Sequence, residues 1–180
     1  MREIRNIFVS KPNALSPPQK SFCAELTKHL RNRGLQPRTL GETDFPNSTP
    51  IQAVKDVLGI CQGALILGFK QIHIVKGYSK VGTDKERKIA DEFLPTAWNQ
   101  LESGMAYMQD LPLMIIREQG VSGGVFDVGI TDRYVHQAEL TAEWLNSERF
   151  LQPFNDWFSD VIDKPPARTV AALGFTDPSR

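Results

Sequence analysis

The feature that most constrains the fold of this chain is a continuous apolar run at residues 64–69, Ala-Leu-Ile-Leu-Gly-Phe. A strand with one face in water alternates polar and apolar residues, whereas a strand covered on both faces is apolar throughout. Residues 7–9 and 111–116 have the same continuous character, and segments with helical periodicity lie between the runs. This alternation of strands and helices predicts a doubly wound, mostly parallel sheet.

The boundaries between these segments complete the predicted order. Ser16 is a helix cap followed by two prolines, and Gly34 ends that helix. The periodicity further predicts a strand at 35–40, helices at 51–62, 137–145 and 149–162, and a last strand at 167–175. We expect a three-layer, flavodoxin-like α/β domain with four to five strands at residues 1–130. A C-terminal helical extension at residues 131–180 should pack on the same domain.

Charge and composition restrict the partners of the chain. Its 21 basic and 21 acidic residues give a formal net charge of zero, so no global field attracts nucleic acid or an anionic membrane. No apolar run approaches the length of a membrane span, and the N-terminus lacks a signal-type apolar region, which predicts a cytoplasmic protein. The two cysteines lack CxxC spacing and the three histidines form no cluster, so no metal site is predicted.

Two segments that follow apolar runs each admit a functional and a structural interpretation. Residues 70–95 are rich in Lys and Arg, and they are expected to form either a lid that meets phosphates or a solvated loop. The loop interpretation includes a short helix near residues 84–93. Residues 119–127 contain several glycines but lack the GK[ST] of a P-loop, so a flexible loop is the simpler interpretation. Asp127 at its end is a candidate ligand contact.

The predicted helix before the run at 111–116 carries the candidate for chemistry. Trp98 and Glu102 lie four residues apart, which places the carboxylate beside the indole on one helix face. A poorly solvated carboxylate has a raised pKa and attracts developing positive charge, which suits cleavage of a glycosidic bond. The alternative is a solvated glutamate at the helix rim.

The apolar residues of the same helix predict how it packs. Leu101, Met105 and Met108 repeat at helical spacing and are expected to face the core. Gly104 costs a helix about 1 kcal/mol relative to Ala, so its presence suggests that another group packs closely there.

Two parts of the sequence resemble known families when they are taken together. Residues 7–12, Ile-Phe-Val-Ser-Lys-Pro, resemble the start of nucleoside 2-deoxyribosyltransferase-like proteins. Residues 102–106, Glu-Ser-Gly-Met-Ala, followed by the run at 111–116, resemble the segment that carries the catalytic glutamate of that superfamily. Residues 98–102 are also similar to the WCxxE helix of Toll/interleukin-1 receptor (TIR) domains that cleave NAD, with Asn99 in place of the cysteine.

The resemblance implies chemistry at C1′ of a ribosyl group. Thr96 and Gly63 stand where the transferases usually carry aspartates, whereas Trp98 matches the TIR pattern. Glu102 would be the catalytic residue, because a carboxylate can hold the ribose hydroxyls and stabilise an oxocarbenium-like sugar, or attack C1′ directly. The expected substrate contacts are Ser10, Lys11, Phe69, Trp98, Asn99, Ser103 and Asp127, with Phe69 stacked on the base.

The function implied by the resemblance is an NAD+ glycohydrolase that releases nicotinamide, with or without cyclisation of ADP-ribose. NAD is then the substrate, no cofactor is expected, and a role in bacterial antiviral defence and a homo-oligomeric assembly follow the TIR-like pattern. A nucleoside 2-deoxyribosyltransferase or a nucleotide N-glycosidase is one alternative. A non-catalytic module of the same fold, which senses a nucleotide or contacts other proteins, is another.

Overall fold

A computed structural model describes residues 4–165, in which helices and strands alternate along the chain. The strands are β1 (Arg5–Ser10), β2 (Leu35–Arg38), β3 (Gly63–Gly68), β4 (Ile72–Ser79), β5 (Arg87–Leu94), β6 (Leu113–Glu118) and β7 (Val135–Ala138). The helices are α1 (Pro17–Asn32), α2 (Pro50–Leu58), α3 (Ala97–Met108), α4 (Ala142–Leu145) and α5 (Glu148–Asp163). The strand expected at residues 167–175 lies outside the described residues. Within residues 4–165, no helix has the length and apolarity that crossing a bilayer requires.

Five of the described strands form one parallel sheet, in the order β2-β1-β3-β6-β7. All six residues of β3 are buried, as expected for a continuous apolar strand. Helices α1, α4 and α5 cover one face of the sheet, and α2 and α3 cover the other. This arrangement confirms the predicted three-layer, flavodoxin-like α/β fold with a helix after the last strand.

The alternation of side chains along β1 determines which residue reaches the carboxyl edge of the sheet on each face. Ile7 and Val9 pack in the layer under α1, and Phe8 packs in the layer under α2. Ser10 has the same parity as Phe8, so it lies on the side of α2 and α3. A shift of one residue in strand register would turn Ser10 to the opposite face, and burial of these apolar side chains at about 2 kcal/mol each opposes that shift.

The C-terminal extension begins with a strand rather than with the helix predicted at residues 137–145. In this region β7 pairs with β6 in parallel, and only α4 is helical. The sheet hydrogen bonds satisfy the backbone groups of β7, so long-range pairing outweighs the local helical periodicity. Helix α5 matches the helix predicted at 149–162, and the indole Nε1 of Trp157 donates a hydrogen bond to the carbonyl oxygen of Pro112 at 3.0 Å.

The basic segment at residues 70–95 is an antiparallel hairpin, and the helix expected near residues 84–93 is wrong. Strand β5 pairs with β4 along its length, and the ring of His73 stacks on that of Phe93 with centroids 4.3 Å apart. Gly82 has a φ of 74° in the exposed turn, where a side chain would be strained. Cross-strand side-chain pairs stabilise such a hairpin, and a local helical pattern does not reveal them.

Helix α3 forms where it is predicted, but its buried face is not the predicted one. Leu101 is 38% exposed and Met108 is 80% exposed, so the expectation that they face the core is wrong, while Met105 packs partly against it. No atom lies within 4 Å of a Cβ placed on Gly104, so this glycine does not mark a close approach. The side chains buried on this helix are those of Asn99, Ser103 and Ala106.

Candidate functional site

The candidate site lies at the carboxyl edge of the sheet, beside the last residue of β1. From β1 the sheet extends to β2 on one side and to β3 on the other. Helix α1, which connects β1 to β2, lies on one face, and α2, which leads into β3, lies on the opposite face. Connections that diverge in this way leave a crevice at the strand ends, which is where open α/β sheets bind ligands.

Helix α3 places its polar face against the end of β1. Thr96 caps the helix, because its Oγ1 accepts a hydrogen bond from the backbone N–H of Asn99 at 3.1 Å. The Thr96 hydroxyl also donates to Oδ1 of Asn99 at 2.8 Å, which orients the amide. Helical spacing then places Glu102 one turn beyond Trp98, as predicted.

A directed chain of hydrogen bonds connects this helix to β1. Nδ2 of the buried Asn99 donates to Oγ of Ser10 at 2.8 Å. Because the hydroxyl oxygen accepts that bond, its own hydrogen is available to Glu102, and Ser10 donates to Oε2 of that residue. The chain therefore runs from Asn99 through Ser10 to the carboxyl group of Glu102.

The environment of Glu102 raises the pKa of its carboxyl group to near neutral pH. Burial removes water from the carboxyl group and raises its pKa from 4.5 to about 7, and the hydrogen bond from Ser10 acts in the opposite direction. Among the described residues, no Lys, Arg or His side chain forms an ion pair with Glu102. Near pH 7 this group is present both as an acid and as a carboxylate.

Glu102 lines a cleft of about 410 Å³ together with Trp98. This volume is within the range of small-molecule sites. Trp98 is 46% exposed and Phe45, from the loop after β2, is 77% exposed, so two aromatic rings are available to a planar ligand. The other residues that line the cleft are Leu40, Gly41, Asp44, Pro46, Pro50, Ala53 and Val54.

The loop after β2 contributes site residues that sequence analysis did not identify. Arg38 holds this loop, because its Nε donates to Oδ1 and Oδ2 of Asp44 at 3.1 and 2.9 Å. Burial raises the pKa of the Asp44 carboxyl group, but the hydrogen bonds from Arg38 and Thr43 and the charge of Arg38 together outweigh burial, so the pKa is lowered. The strand predicted at residues 35–40 places this loop at a strand's carboxyl end, and a single aromatic residue, Phe45, in a polar loop was the available signal.

Two residues expected at the site have other partners. The Nζ of Lys11 lies 2.5 Å from an Oε2 of Glu42, and Lys11 does not line the cleft. Phe69 is completely buried under α1, where its ring meets that of Phe22 edge-on at 6.2 Å. Phe69 follows β3 directly and has the same parity as Leu65 and Leu67, which pack on the α1 face of the sheet, opposite to α3. The expectation that Phe69 stacks on a base is therefore wrong.

Two further candidates, Ser103 and Asp127, do not line the cleft. Ser103 is buried between α3 and the sheet, and its hydroxyl has no hydrogen-bond partner among the described residues. Asp127 lies in the loop after β6, where its Oδ1 accepts a hydrogen bond from the backbone N–H of Gly123 at 2.8 Å. The structure thus assembles Trp98 and Glu102 in the cleft, with Ser10 and Asn99 directly behind the carboxyl group.

Other features of the described residues offer less chemistry. A larger groove of about 760 Å³ is lined mainly by residues of β6, β7 and α5, and none of the predicted site residues lines it. Burial raises the pKa of Cys23 to about 11 and that of Cys61 to about 12, so both thiols are protonated and unreactive at neutral pH. In residues 4–165, no three His, Cys, Asp or Glu side chains converge to hold a metal ion.

The comparisons with protein-family models and with curated proteins do not assign a function to this chain. No protein-family model matches the sequence, and no curated protein is significantly similar to it.

Proposed function

We propose that this protein is a hydrolase that cleaves the N-glycosidic bond of a nucleotide, with NAD+ as the favoured substrate and Glu102 as the catalytic residue. The observation that supports the proposal is a carboxyl group, largely shielded from water, in an aromatic cleft at the switch point of the sheet. Its hydrogen bond from Ser10 gives it a fixed orientation. The resemblance of residues 98–102 to a glutamate-containing NAD-cleaving helix agrees with this assignment.

The chemistry requires one carboxylate because nicotinamide in NAD+ is a cationic leaving group. The bond between C1′ and the ring nitrogen breaks, and its electron pair neutralises the ring. The ribosyl group is left with oxocarbenium character, which the largely buried Glu102 carboxylate stabilises. Water then attacks C1′ and loses a proton, so the products are nicotinamide, ADP-ribose and one proton.

The pKa of Glu102 is compatible with this role once the substrate is bound. In the free protein the carboxyl group is about half ionised near pH 7. A pyridinium cation close to it favours the ionised form and lowers its pKa. We therefore expect kcat/KM to rise through about pH 7, and the corresponding rise in kcat to occur at lower pH.

The same carboxyl group also supports a second candidate, a nucleoside 2-deoxyribosyltransferase or a nucleotide N-glycosidase. A neutral base needs a proton to depart, and a carboxyl group with a pKa of about 7 can supply one at neutral pH. The two candidates differ in the direction of the pH profile. Activity that increases as pH falls through about 7 favours the neutral base, whereas activity that increases with pH favours NAD+.

The direct test follows nicotinamide release from NAD+ by the purified chain and by Glu102→Gln. The variant keeps the size of the side chain but cannot carry negative charge, so we expect turnover to fall by about 10³-fold. Glu139→Gln is the matched control, because Glu139 is exposed and does not line the cleft. Equal nicotinamide release by wild type and Glu102→Gln would contradict the assignment of Glu102.

The biological setting belongs to the same proposal. An enzyme that consumes NAD+ acts where NAD+ is held, so we propose a cytoplasmic location, and depletion of NAD+ in infected cells is the proposed route to bacterial defence. We also propose that the protein self-associates, so the assay should cover a wide range of protein concentrations. If NAD+ survives throughout that range while nucleosides are consumed, the second candidate replaces the first.

A further inference from the structure

The charges around the cleft are arranged in an unusual way for a nucleotide site. Among the described residues that line it, the charged ones are the acids Asp44 and Glu102, and none is Lys, Arg or His. Arg38, at the end of β2, is neutralised by Asp44 through the bonds from its Nε. Lys11, just after β1, is neutralised by Glu42 at 2.5 Å.

This arrangement leaves the cleft poorly suited to phosphate. Proteins bind phosphate with unpaired Arg or Lys side chains and with backbone N–H groups at helix N-termini. Helix α2 opens on the cleft with Pro50 as its first residue, and proline has no N–H to donate. A pyrophosphate inside the cleft would instead face the unpaired carboxylate of Glu102 and the Asp44–Arg38 ion pair, which has no net charge.

The same lining is well suited to a flat organic cation. A cation over the face of Trp or Phe is attracted by the ring, most strongly where water is excluded. Trp98 and Phe45 present such rings, and Glu102 supplies the compensating negative charge. Nothing cationic among the described lining residues competes for that charge.

We infer that the cleft recognises a positively charged aromatic base with its ribose, and that the phosphates of a nucleotide contribute nothing to binding. The preferred ligand class is therefore the cationic nucleoside, with the rest of a dinucleotide held outside the cleft. The ribose in this description rests on the proposed function, whereas the selection for a cation rests on the lining alone.

The first experiment isolates the charge of the base. Nicotinamide and 1-methylnicotinamide differ by one methyl group and one positive charge, and their affinities for the full chain are measured by calorimetry at pH 8. At that pH most of the Glu102 carboxyl group is ionised, and we expect the cation to bind about tenfold more tightly. The preference should disappear in Glu102→Gln and at pH 5.5, and persist in Glu139→Gln.

A second variant keeps the test valid if Glu102→Gln fails to fold. Phe45 is 77% exposed, so Phe45→Leu removes a ring with little effect on packing. We expect this variant to bind 1-methylnicotinamide about threefold more weakly than wild type, with an unchanged circular dichroism spectrum. Unchanged affinity of Phe45→Leu for 1-methylnicotinamide would show that the Phe45 ring does not contribute to binding of the cation.

The second experiment isolates the phosphates. Nicotinamide riboside and NAD+ share the cationic base and ribose, and we expect their kcat/KM values to agree within about threefold. ADP should not inhibit. Equal binding of nicotinamide and 1-methylnicotinamide overturns the selection for a cation, and strong inhibition by ADP overturns the exclusion of phosphate.

The two proposals can fail separately. Binding of 1-methylnicotinamide without hydrolysis of any nucleoside or nucleotide would retain the inference about the cleft and reject the proposed enzyme. Hydrolysis of NAD+ by Glu102 with no preference for the cation would retain the enzyme and reject the inference.

Discussion

At the residue scale, the shielded carboxyl group of Glu102 makes folding stability depend on pH. Its pKa is raised from 4.5 to about 7 in the folded chain, so the folded state binds a proton more tightly than the unfolded state. Stability from this group is therefore highest below about pH 4.5 and is lost as pH rises to about 7. The loss is roughly 3 kcal/mol at most.

We therefore expect Glu102→Gln to be more stable than wild type at pH 8, by about 1–3 kcal/mol. The amide carries no charge, so it avoids the cost of burying a carboxylate. Urea unfolding of both proteins at pH 8 and pH 5 measures the difference, which should shrink at the lower pH. A variant that is less stable than wild type at pH 8 would show that the carboxylate is stabilised by its surroundings.

The hydroxyl of Ser10 works against this pKa shift, so its removal should be visible in a pH profile. Ser10 donates to Oε2 of Glu102, and this hydrogen bond favours the ionised form. A bond to a charged group is worth about 1.5 kcal/mol, so Ser10→Ala should move the rise in kcat/KM to higher pH by about one pH unit. The measurement is kcat/KM against pH for wild type and Ser10→Ala.

Ser159→Ala is the matched control for Ser10→Ala, because Ser159 lies on the exposed side of α5. Its pH profile should coincide with that of wild type. If Ser10→Ala lowers activity equally at every pH, the hydroxyl does not act through the ionisation of Glu102.

At the scale of elements, the sequence predicted the strands and helices that are stabilised mainly by burial. It did not predict the strands that depend on pairing with another strand. The continuous run at residues 64–69 could be assigned to a buried strand because apolar content alone determines that outcome. Strands β4, β5 and β7 were missed because strand pairing does not show in a local pattern: β4 and β5 pair with each other, and β7 pairs with the edge of the predicted strand β6.

The candidate site shows the same division between predictable and unpredictable features. Helix α3, with Trp98 and Glu102 on one side, followed from spacing in the sequence. The rotation of α3 about its own axis could not be predicted from spacing. The hydrogen bond to Ser10 keeps Asn99 buried, and this leaves the more hydrophobic Leu101 and Met108 exposed to water. Departures from the apolar-inside rule are expected at functional sites, where polar contacts take precedence over burial.

The hairpin formed by β4 and β5 is the segment for which a lid over the site was one of the two expectations. Its strands pair mainly with each other, and Phe93 joins them to the body through its carbonyl, which accepts the N–H of Ser122 at 3.1 Å. Replacing residues 73–92 by Gly-Ser-Gly keeps Phe93. We expect the melting temperature to change by less than about 5 °C, because few contacts with the body are lost.

Turnover should also be unchanged in this shortened chain, because no described residue between 73 and 92 lines the cleft. Thermal unfolding and the nicotinamide assay measure the two effects independently. Normal stability with lost turnover would establish the hairpin as a lid that closes over the bound substrate.

At the scale of the whole molecule, helix α5 and the sheet depend on each other. A Cβ placed on Gly63 would lie 2.6 Å from Cγ2 of Val161, so the close approach of α5 requires glycine at the start of β3. The described residues after 130 therefore belong to the same domain, because β7 pairs with the sheet and α5 packs closely against it.

A chain that ends after residue 130 should consequently fail to fold. It lacks one edge strand and two of the three helices that cover one face of the sheet, and the large buried side chains removed include Trp144, Phe150, Phe154, Trp157 and Val161. Their burial contributes about 10 kcal/mol, which is comparable with the whole stability of a typical domain. Near-ultraviolet circular dichroism and urea unfolding should show no cooperative transition for this fragment.

A point variant separates loss of the apolar layer from loss of chain length. Trp157 packs in that layer and donates its indole hydrogen to Pro112 at the start of β6. Trp157→Phe removes the bond and keeps a ring, for an expected loss of about 1–2 kcal/mol, whereas Trp157→Ala should lose about 3–5 kcal/mol. If the fragment of residues 1–130 unfolds cooperatively, or if both variants match wild type, the sheet is stable without α5 and the domain ends near residue 130.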